Sequence, residues 1–470
     1  MVDSNWWLSQ RSKRIEGGVW NVKTDGRDGP NGAFSFVGDE FIAHPDDLAA
    51  AGPALAGLAT ESVPDRPGEH DWLVNGLRLY TSSEADLARY VEDLRIAASA
   101  ALGGARPRIG LHYVLTGEIK AIIPRGGPAV PPWPVLVSDP TPFTPVDWGD
   151  HQQPLVAVLD TGIDAGSIQA QPVDDPVVMY ERGTPAHPEP DDVDVLNGPA
   201  PAGGAPTLAS EAGHGTFITS LVERLAGGGV RMRSVRVLDP DGGGTEKSVV
   251  EGLQRLRRNH PEPTVQIVNL SLGGFTDDGG WDGADPALPP TLKDQMPVAL
   301  AAEMRLWAEK YPDTVFVCAA GNDGQARPFW PAAASQGLGQ PGPSPVVVAV
   351  GSLDGQGQRS WFSNEGEWVT VWALGEDIVS EYPDGEFATT PDFVQRFPER
   401  LARWSGTSFA APLVAAEIAR LANGQQNPAA AHEAWLALKP HLGRRDPQNA
   451  DFDLEYDPRV HGPGKDPRYE

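Results

Sequence analysis

The sequence predicts an α/β fold: a three-layer unit with a mostly parallel central sheet and helices on both faces, preceded by a small α+β domain. Three observations lead there. From about residue 153 onward, short β-branched apolar runs alternate with longer helical patterns. The stretch before them mixes strand-like and helix-like segments, and a proline-rich segment separates the two. Continuous apolar strands alternating with helices belong to a parallel sheet buried on both faces.

In chain order, residues 1–30 are polar and glycine-bearing, and are expected to be poorly ordered. "FSFVGDEFIA" (34–43) and "DWLVNGLRLYTS" (71–82) read as strands. Between them, "DDLAAAGPALAGLA" has helical composition interrupted by Gly52, Pro53 and Gly57. "SEADLARYVEDLRIAASAAL" (83–102) reads as a helix with Ser83 as its cap and apolar residues every three or four positions. "RPRIGLHYVLTG" is a further strand. Residues 1–123 are therefore expected to form an N-terminal α+β domain. Residues 124–150 read as a linker, because eight of the 23 residues at 124–146 are proline. Residues 151–442 form the main unit and 443–470 a polar tail.

In the main unit the strand runs are "LVAVLD", "VRMRSVRVL", "VQIVNLSL", "TVFVCAA" and "VVVAVGS". The helical runs are "HGTFITSLVERLA", "TEKSVVEGLQRLRRN" and "PVALAAEMRLWAEKY". Ligands of such a sheet are expected at the carboxyl ends of the strands.

Composition narrows the partners. Net charge is −27, from 37 basic and 64 acidic residues. That argues against nucleic acid or an anionic membrane as partner, since phosphate binding needs a basic surface. It either favours a basic peptide substrate or serves only to solvate the chain. The one cysteine, Cys318, lies in an apolar run and allows no intrachain disulfide. The first residues, "MVDSNWWLSQRSKRIEGG", lack a basic start followed by an apolar region, and no run of about 18 apolar residues occurs. A cytoplasmic location with no membrane span is the expectation.

Four short motifs carry chemistry. "VAVLDTGID" delivers Asp160 at the end of an apolar strand. "GHGTFITSLV" places His214 between two glycines at a helix start. "SGTSFAAP" places Ser408 at a helix N-terminus, and "AAGND" places Asn322 just after a strand. A serine hydroxyl becomes a nucleophile when an imidazole accepts its proton, and a carboxylate fixes the imidazole tautomer. An asparagine amide and the Ser408 N–H can donate to the oxyanion that forms. Pro412 is expected within the first helical turn, where its missing N–H costs little. Singly, each residue has an ordinary reading: Asp160 and Asn322 as turn residues, His214 as a helix start, Ser408 as an N-cap. Together and in this order they point to acyl transfer.

The order Asp…His…Ser with "DTGID", "GHGT", "SLGG", "AAGN" and "GTSFAAP" resembles the subtilisin-like serine proteases over roughly residues 153–425. The resemblance implies the subtilisin-like three-layer fold, a triad of Asp160, His214 and Ser408, and Asn322 as oxyanion donor. It implies that Ser271, Leu272 and Gly273 pair with substrate backbone and line one wall of the primary pocket. Ala319, Ala320 and Gly321 form the facing wall, and Gly242, Gly243 and Gly244 a second substrate edge. It implies that residues 325–345, with Phe329 and Trp330, lie at the bottom of that pocket, either narrowing it or packing beneath it.

The sequence departs from the family pattern in two places. Fifty-four positions separate Asp160 from His214, more than in compact members. The family often binds calcium, and Asp191, Asp192 and Asp194 in this segment suggest it, but their spacing matches no recognised oxygen cage. No cofactor is required and no metal ligand is assigned. A second insertion, residues 381–404, directly precedes the nucleophile motif and is placed to flank the cleft. The expected function is a serine endopeptidase acting on a peptide or protein substrate. The N-terminal domain is either a propeptide-like inhibitor or a docking site for a regulatory protein. The alternative is an acyl transferase or macrocyclase, or a non-hydrolytic peptide binder, on the same fold.

Overall fold

A computed structural model describes residues 22–25, 34–52, 61–62, 74–116, 133–134, 153–164, 178–180, 208–209, 211–226, 230–239, 242–258, 265–276, 296–338, 342–390, 393–425, 427 and 429–441. The 124–150 segment, apart from Trp133–Pro134, and the 443–470 tail lie outside the described residues.

The first described part is antiparallel. It contains β1 (Val22–Asp25), β2 (Phe34–Ala43), α1 (Pro45–Ala50), β3 (Glu61–Ser62), β4 (Arg78–Thr81), α2 (Leu87–Ala101) and β5 (Ile109–Thr116). The strand order is β5-β2-β4-β3, with β1 also on β2. Alternation along the strands sends side chains to opposite faces. Phe41, Ala43, Tyr80 and Leu111 pack with Leu87, Val91 and Leu94 of α2. Ile42, Leu79 and Leu115 face a different core, shared with the main unit.

Three local readings need correction. Asp86 caps α2, its carboxylate accepting from the Arg89 N–H at 3.2 Å, so the helix starts three residues beyond the point Ser83 would set. Among the described residues of the strand expected at 71–82, only Arg78–Thr81 is strand, because Asn75 and Gly76 both take positive φ and make a turn. The polar N-terminal stretch supplies β1, which pairs with β2 through Val22↔Val37 to Asp25↔Phe34.

The main unit contains β7 (Leu155–Asp160), β8 (Val178–Tyr180), α3 (His214–Leu225), β9 (Arg231–Arg236), β10 (Gly243–Thr245), α4 (Glu246–Arg258) and β11 (Val265–Leu270). It continues with α5 (Val298–Lys310), β12 (Val315–Ala319), β13 (Val346–Leu353) and β14 (Val371–Leu374). The sheet order is β14-β13-β12-β11-β7-β9-β8, and every pair is parallel. Val156, Val158, Ile267, Val315 and Val317 face a core built by α3 and the helix α6 (Thr407–Ala422). Ala157, Leu159, Val268, Phe316 and Cys318 face a core built by α4 and α5. The strands are apolar throughout because both faces are covered. This is the three-layer α/β arrangement that the sequence predicts.

From β7 the chain builds outward to β8 and β9, then crosses to β11 on the other side. The crevice at the carboxyl ends of β7 and β11 is therefore a topological switch point, where ligands of open α/β sheets bind. The insertion at 381–404 folds as a β-hairpin, β16 (Glu386–Thr390) with β17 (Phe393–Arg396), followed by β18 (Leu401–Trp404). β18 pairs with β15 (Ile378–Glu381) on one side and with β6 (Trp133–Pro134) on the other.

Candidate active site

Asp160 is the last residue of β7 and is fully buried. One carboxylate oxygen, Oδ1, accepts from the Thr161 N–H at 2.8 Å and lies 2.7 Å from Nδ1 of His214. An ionised carboxylate only accepts, so Nδ1 carries the proton and Nε2 is the ring nitrogen suited to take another. His214, also fully buried, opens α3. Two glycines make this approach possible. Gly213, at φ 82°, is the N-cap, and a Cβ there would stand 2.3 Å from Cδ of Pro383. A Cβ on Gly215 would stand 2.2 Å from the Gly162 carbonyl oxygen. The turn after Asp160 and the start of α3 thus touch backbone to backbone, and no larger residue fits.

The imidazole lies against Trp404 and Phe409, with ring centroids 5.5 and 5.4 Å away. Phe409 follows Ser408, so the first turn of α6 lies beside the His214 ring. Ser408 is the second residue of that helix and is buried, and its Oγ donates to the Ser271 carbonyl oxygen at 3.3 Å. Pro412 corrects the sequence expectation: it sits in the second turn, inside the helix. Its missing N–H would have bonded to the carbonyl of Ser408, four residues earlier. That carbonyl instead accepts from the Ser271 hydroxyl at 2.8 Å. Ser271 in turn accepts from the Asn269 amide at 2.9 Å. The proline therefore leaves the Ser408 carbonyl free to tie the helix to the end of β11.

Asn322 follows β12, and its Oδ1 accepts from the Thr407 N–H at 2.7 Å. With the oxygen held by the helix start, the NH₂ end of the amide is the donor offered to a bound group. The Gly321 N–H donates to Thr407 Oγ1 at 3.0 Å, a second tie between this loop and α6. Sequence reasoning missed Asn364. Its Oδ1 accepts from the Asp323 and Gln325 N–H groups, each at 3.0 Å, and its Nδ2 donates to the Ala320 carbonyl at 2.9 Å. It braces the loop that carries Asn322. Nothing near "WFSNEG" in the sequence signals this, because the partners are all backbone and some forty residues away.

The expected substrate-binding residues divide. Gly243 and Gly244 form β10, and Gly273 forms an isolated bridge. All three are already paired with β5, through Gly243↔Thr116, Gly244↔Leu115 and Thr116↔Gly273. Thr116 and Gly273 exchange two hydrogen bonds of 2.9 Å. Gly242, at φ 77°, is the turn before β10. Leu272 is buried in the core behind the edge. Ala319 ends β12, and Ala320 bonds back to Val350. The N-terminal sheet thus lies along the edges expected to hold a substrate strand.

Behind β10, the fully buried Glu246 accepts from the Ala299 and Leu300 N–H groups at 2.6 and 3.1 Å. Burial pushes its carboxyl up to about 8 against three backbone hydrogen bonds, the third from Tyr113 of β5. Burial also pushes the Cys318 thiol up. Among the described residues, no group of three or more His, Cys, Asp or Glu is arranged to hold a metal ion. Asp191, Asp192 and Asp194 lie outside the described residues. Among the described residues no helix is long and apolar enough to cross a membrane.

At the carboxyl edge of the parallel sheet a buried Asp160–His214 pair lies beside the helix start that carries Ser408, and comparison with known proteins gives the family. The model of the subtilase family (peptidase S8) matches residues 151–442, and the chain belongs to that family. It is 29% identical over 205 residues to an extracellular serine proteinase of Thermus sp. (strain Rt41A), covering 43% of this chain and 39% of that one. It is 29% identical over 185 residues to an intracellular serine protease of Paenibacillus polymyxa, covering 39% of this chain and 43% of that one. The chain thus spans less than half the length of each of these relatives. Among solved structures, a cold adapted subtilisin-like serine proteinase matches 64% of this chain and 85% of its own, at 21% identity and a TM-score of 0.41.

Proposed function

We propose that this subtilase is a serine endopeptidase in which Asp160, His214 and Ser408 act as the triad and Asn322 as the oxyanion donor. The observation that carries the reading is the buried 2.7 Å pair of Asp160 and His214 set against the helix start that presents Ser408. In the reaction, His214 Nε2 takes the Ser408 proton as Oγ attacks the substrate carbonyl carbon. Negative charge moves to the carbonyl oxygen, which accepts from the Asn322 amide and the Ser408 N–H. The imidazolium returns its proton to the departing amine, and an acyl-enzyme remains. Water then adds by the same route in reverse and releases the acid. Asp160 stays ionised throughout and stabilises the imidazolium.

The substrate is a peptide held as an extended strand against Gly243, Gly244 and Gly273 by main-chain hydrogen bonds. β5 pairs with these same glycines, which supports the reading that the N-terminal sheet regulates access. An intracellular setting is part of the proposal; a single buried cysteine supports it.

One observation favours acyl transfer as a second reading. Tyr382 and Pro383, at the head of the hairpin insertion, close over Gly213 at the start of the His214 helix. A cover there would keep water from the acyl-enzyme. Incubating the protein with labelled peptides and separating products decides between them. The proposal expects hydrolysed peptide, lost in Ser408→Ala; ligated or cyclised product in excess of hydrolysed peptide would overturn it in favour of transfer.

A further inference from the structure

Beyond Leu270↔Cys318, the last pair of β11 and β12, the two neighbouring strands part. One continuation, Ser271–Gly274, turns so that Gly274 exchanges two hydrogen bonds of 2.9 Å with Trp330. The other, Ala319–Gly321, leads to Asn322. Both continuations hold the start of α6, the Ser271 hydroxyl donating to the Ser408 carbonyl at 2.8 Å and the Gly321 N–H to Thr407 Oγ1 at 3.0 Å, and the space between them is the crevice a substrate side chain would enter. The pairing of Thr116 with Gly273 is antiparallel, so a strand continuing in that register brings its residue two positions on opposite Ser271. Ser408 Oγ donates to the Ser271 carbonyl at 3.3 Å, so on the peptidase reading the residue opposite Ser271 is the one that presents its carbonyl to Ser408. With its carbonyl turned toward Ser408 and Asn322, its side chain has the crevice to enter.

The crevice is filled from within. A Cβ on Gly273 would stand 2.3 Å from Cε1 and 2.9 Å from Cδ1 of Phe329. A Cβ on Gly321, on the opposite wall, would stand 3.0 Å from Cδ1 and Cγ of the same ring. One phenyl ring therefore touches both walls at once. It is buried and fixed: the Phe275 ring meets it edge-on at 5.2 Å, and the next residue, Trp330, is tied to Gly274.

We infer that Phe329 plugs the primary side-chain crevice and restricts cleavage to peptide bonds that follow glycine or alanine. The inference rests on the peptidase reading above and names its substrate class. A leucine, phenylalanine or lysine at that position would have to displace a ring packed on three sides. A single methylene that does not fit a pocket already costs about tenfold or more in specificity.

The test uses the full chain and small aminoalkyl diphenyl phosphonates that carry the side chain of alanine, leucine or phenylalanine. The wild type is expected to react at least about tenfold faster with the alanine analogue than with the other two. Phe329→Gly reverses that order, and Phe329→Leu, the more conservative variant, reduces the preference. Each preference is a ratio within one protein, so a loss of folded fraction cancels. Equal rates in the wild type, or a ratio unmoved in both variants, overturn the plug. A fluorophosphonate run in parallel separates the two levels. If it labels Ser408 while side-chain preference is absent, only the plug fails; if neither it nor any phosphonate labels Ser408, the peptidase reading fails and the plug with it.

Discussion

Replacing Thr116 with proline tests how the N-terminal sheet controls the site. The Thr116 N–H donates to the Gly273 carbonyl at 2.9 Å, and proline has no N–H to donate. On the proposed reading the Gly273 carbonyl lies on the edge that holds a substrate strand, so losing the bond weakens an internal competitor and leaves the proposed catalytic groups intact. A buried acceptor left without its donor costs about 1–3 kcal/mol. That range corresponds to a roughly 5- to 150-fold change in an equilibrium. If β5 competes with substrate, kcat/KM for a short extended peptide should rise by a factor in that range in Thr116→Pro. Thr116→Val keeps the N–H and should change it by less than about twofold. The assay is initial-rate hydrolysis of a fluorogenic peptide with alanine before the scissile bond. An unchanged or lower kcat/KM in Thr116→Pro, with melting curves showing it folded, would refute the claim that the N-terminal sheet occupies the substrate edge.

Two further outcomes follow from the geometry. Asn364→Ala removes three hydrogen bonds from the loop bearing Asn322; kcat should fall by about tenfold or more with KM little changed, because misplacing a donor by an ångström costs that much. Asn364→Asp, which keeps both acceptor bonds, should recover part of it, and equal loss in both variants would contradict a positioning role. For Glu246, burial raises the folded pKa to about 8, above the ordinary glutamate value of 4.5, so its contribution to stability is full below pH 4.5 and is lost as pH rises toward 8. The unfolding free energy of the wild type minus that of Glu246→Gln should therefore fall across this window, by at most about 5 kcal/mol at 1.4 kcal/mol per pH unit; a difference constant with pH would contradict it.

Much of this was legible in the sequence, for identifiable reasons. "LVAVLD", "VQIVNLSL" and "TVFVCAA" read as buried parallel strands because strands covered on both faces show no alternation. Asp160, His214, Ser408 and Asn322 stood out because each sits at an element end next to glycine or a small residue, the pattern that tight backbone approach requires. Other features left no local trace. Asn364 acts on backbone across the sheet edge, and no spacing rule reaches it. Pro412 looked harmless because the helix start was placed too late by half a turn; with Thr407 as the first helical residue, the proline breaks a bond that Ser271 then replaces. The role proposed for Phe329 depends on two glycines, Gly273 and Gly321, on separate strand continuations, whose missing side chains make room for its ring. The pairing of β5 with Gly243, Gly244 and Gly273 follows from how two separately patterned units dock, which periodicity within either cannot reveal.

The central claim is that Ser408 is a nucleophile activated by His214. The most direct measurement treats the protein with a fluorophosphonate, digests it and maps the adduct by mass spectrometry. The account predicts one adduct on Ser408, absent from Ser408→Ala and slowed by at least about a hundredfold in His214→Ala, the scale of positioned general-base catalysis. An adduct that forms elsewhere, or on Ser408 at the same rate without His214, would contradict it.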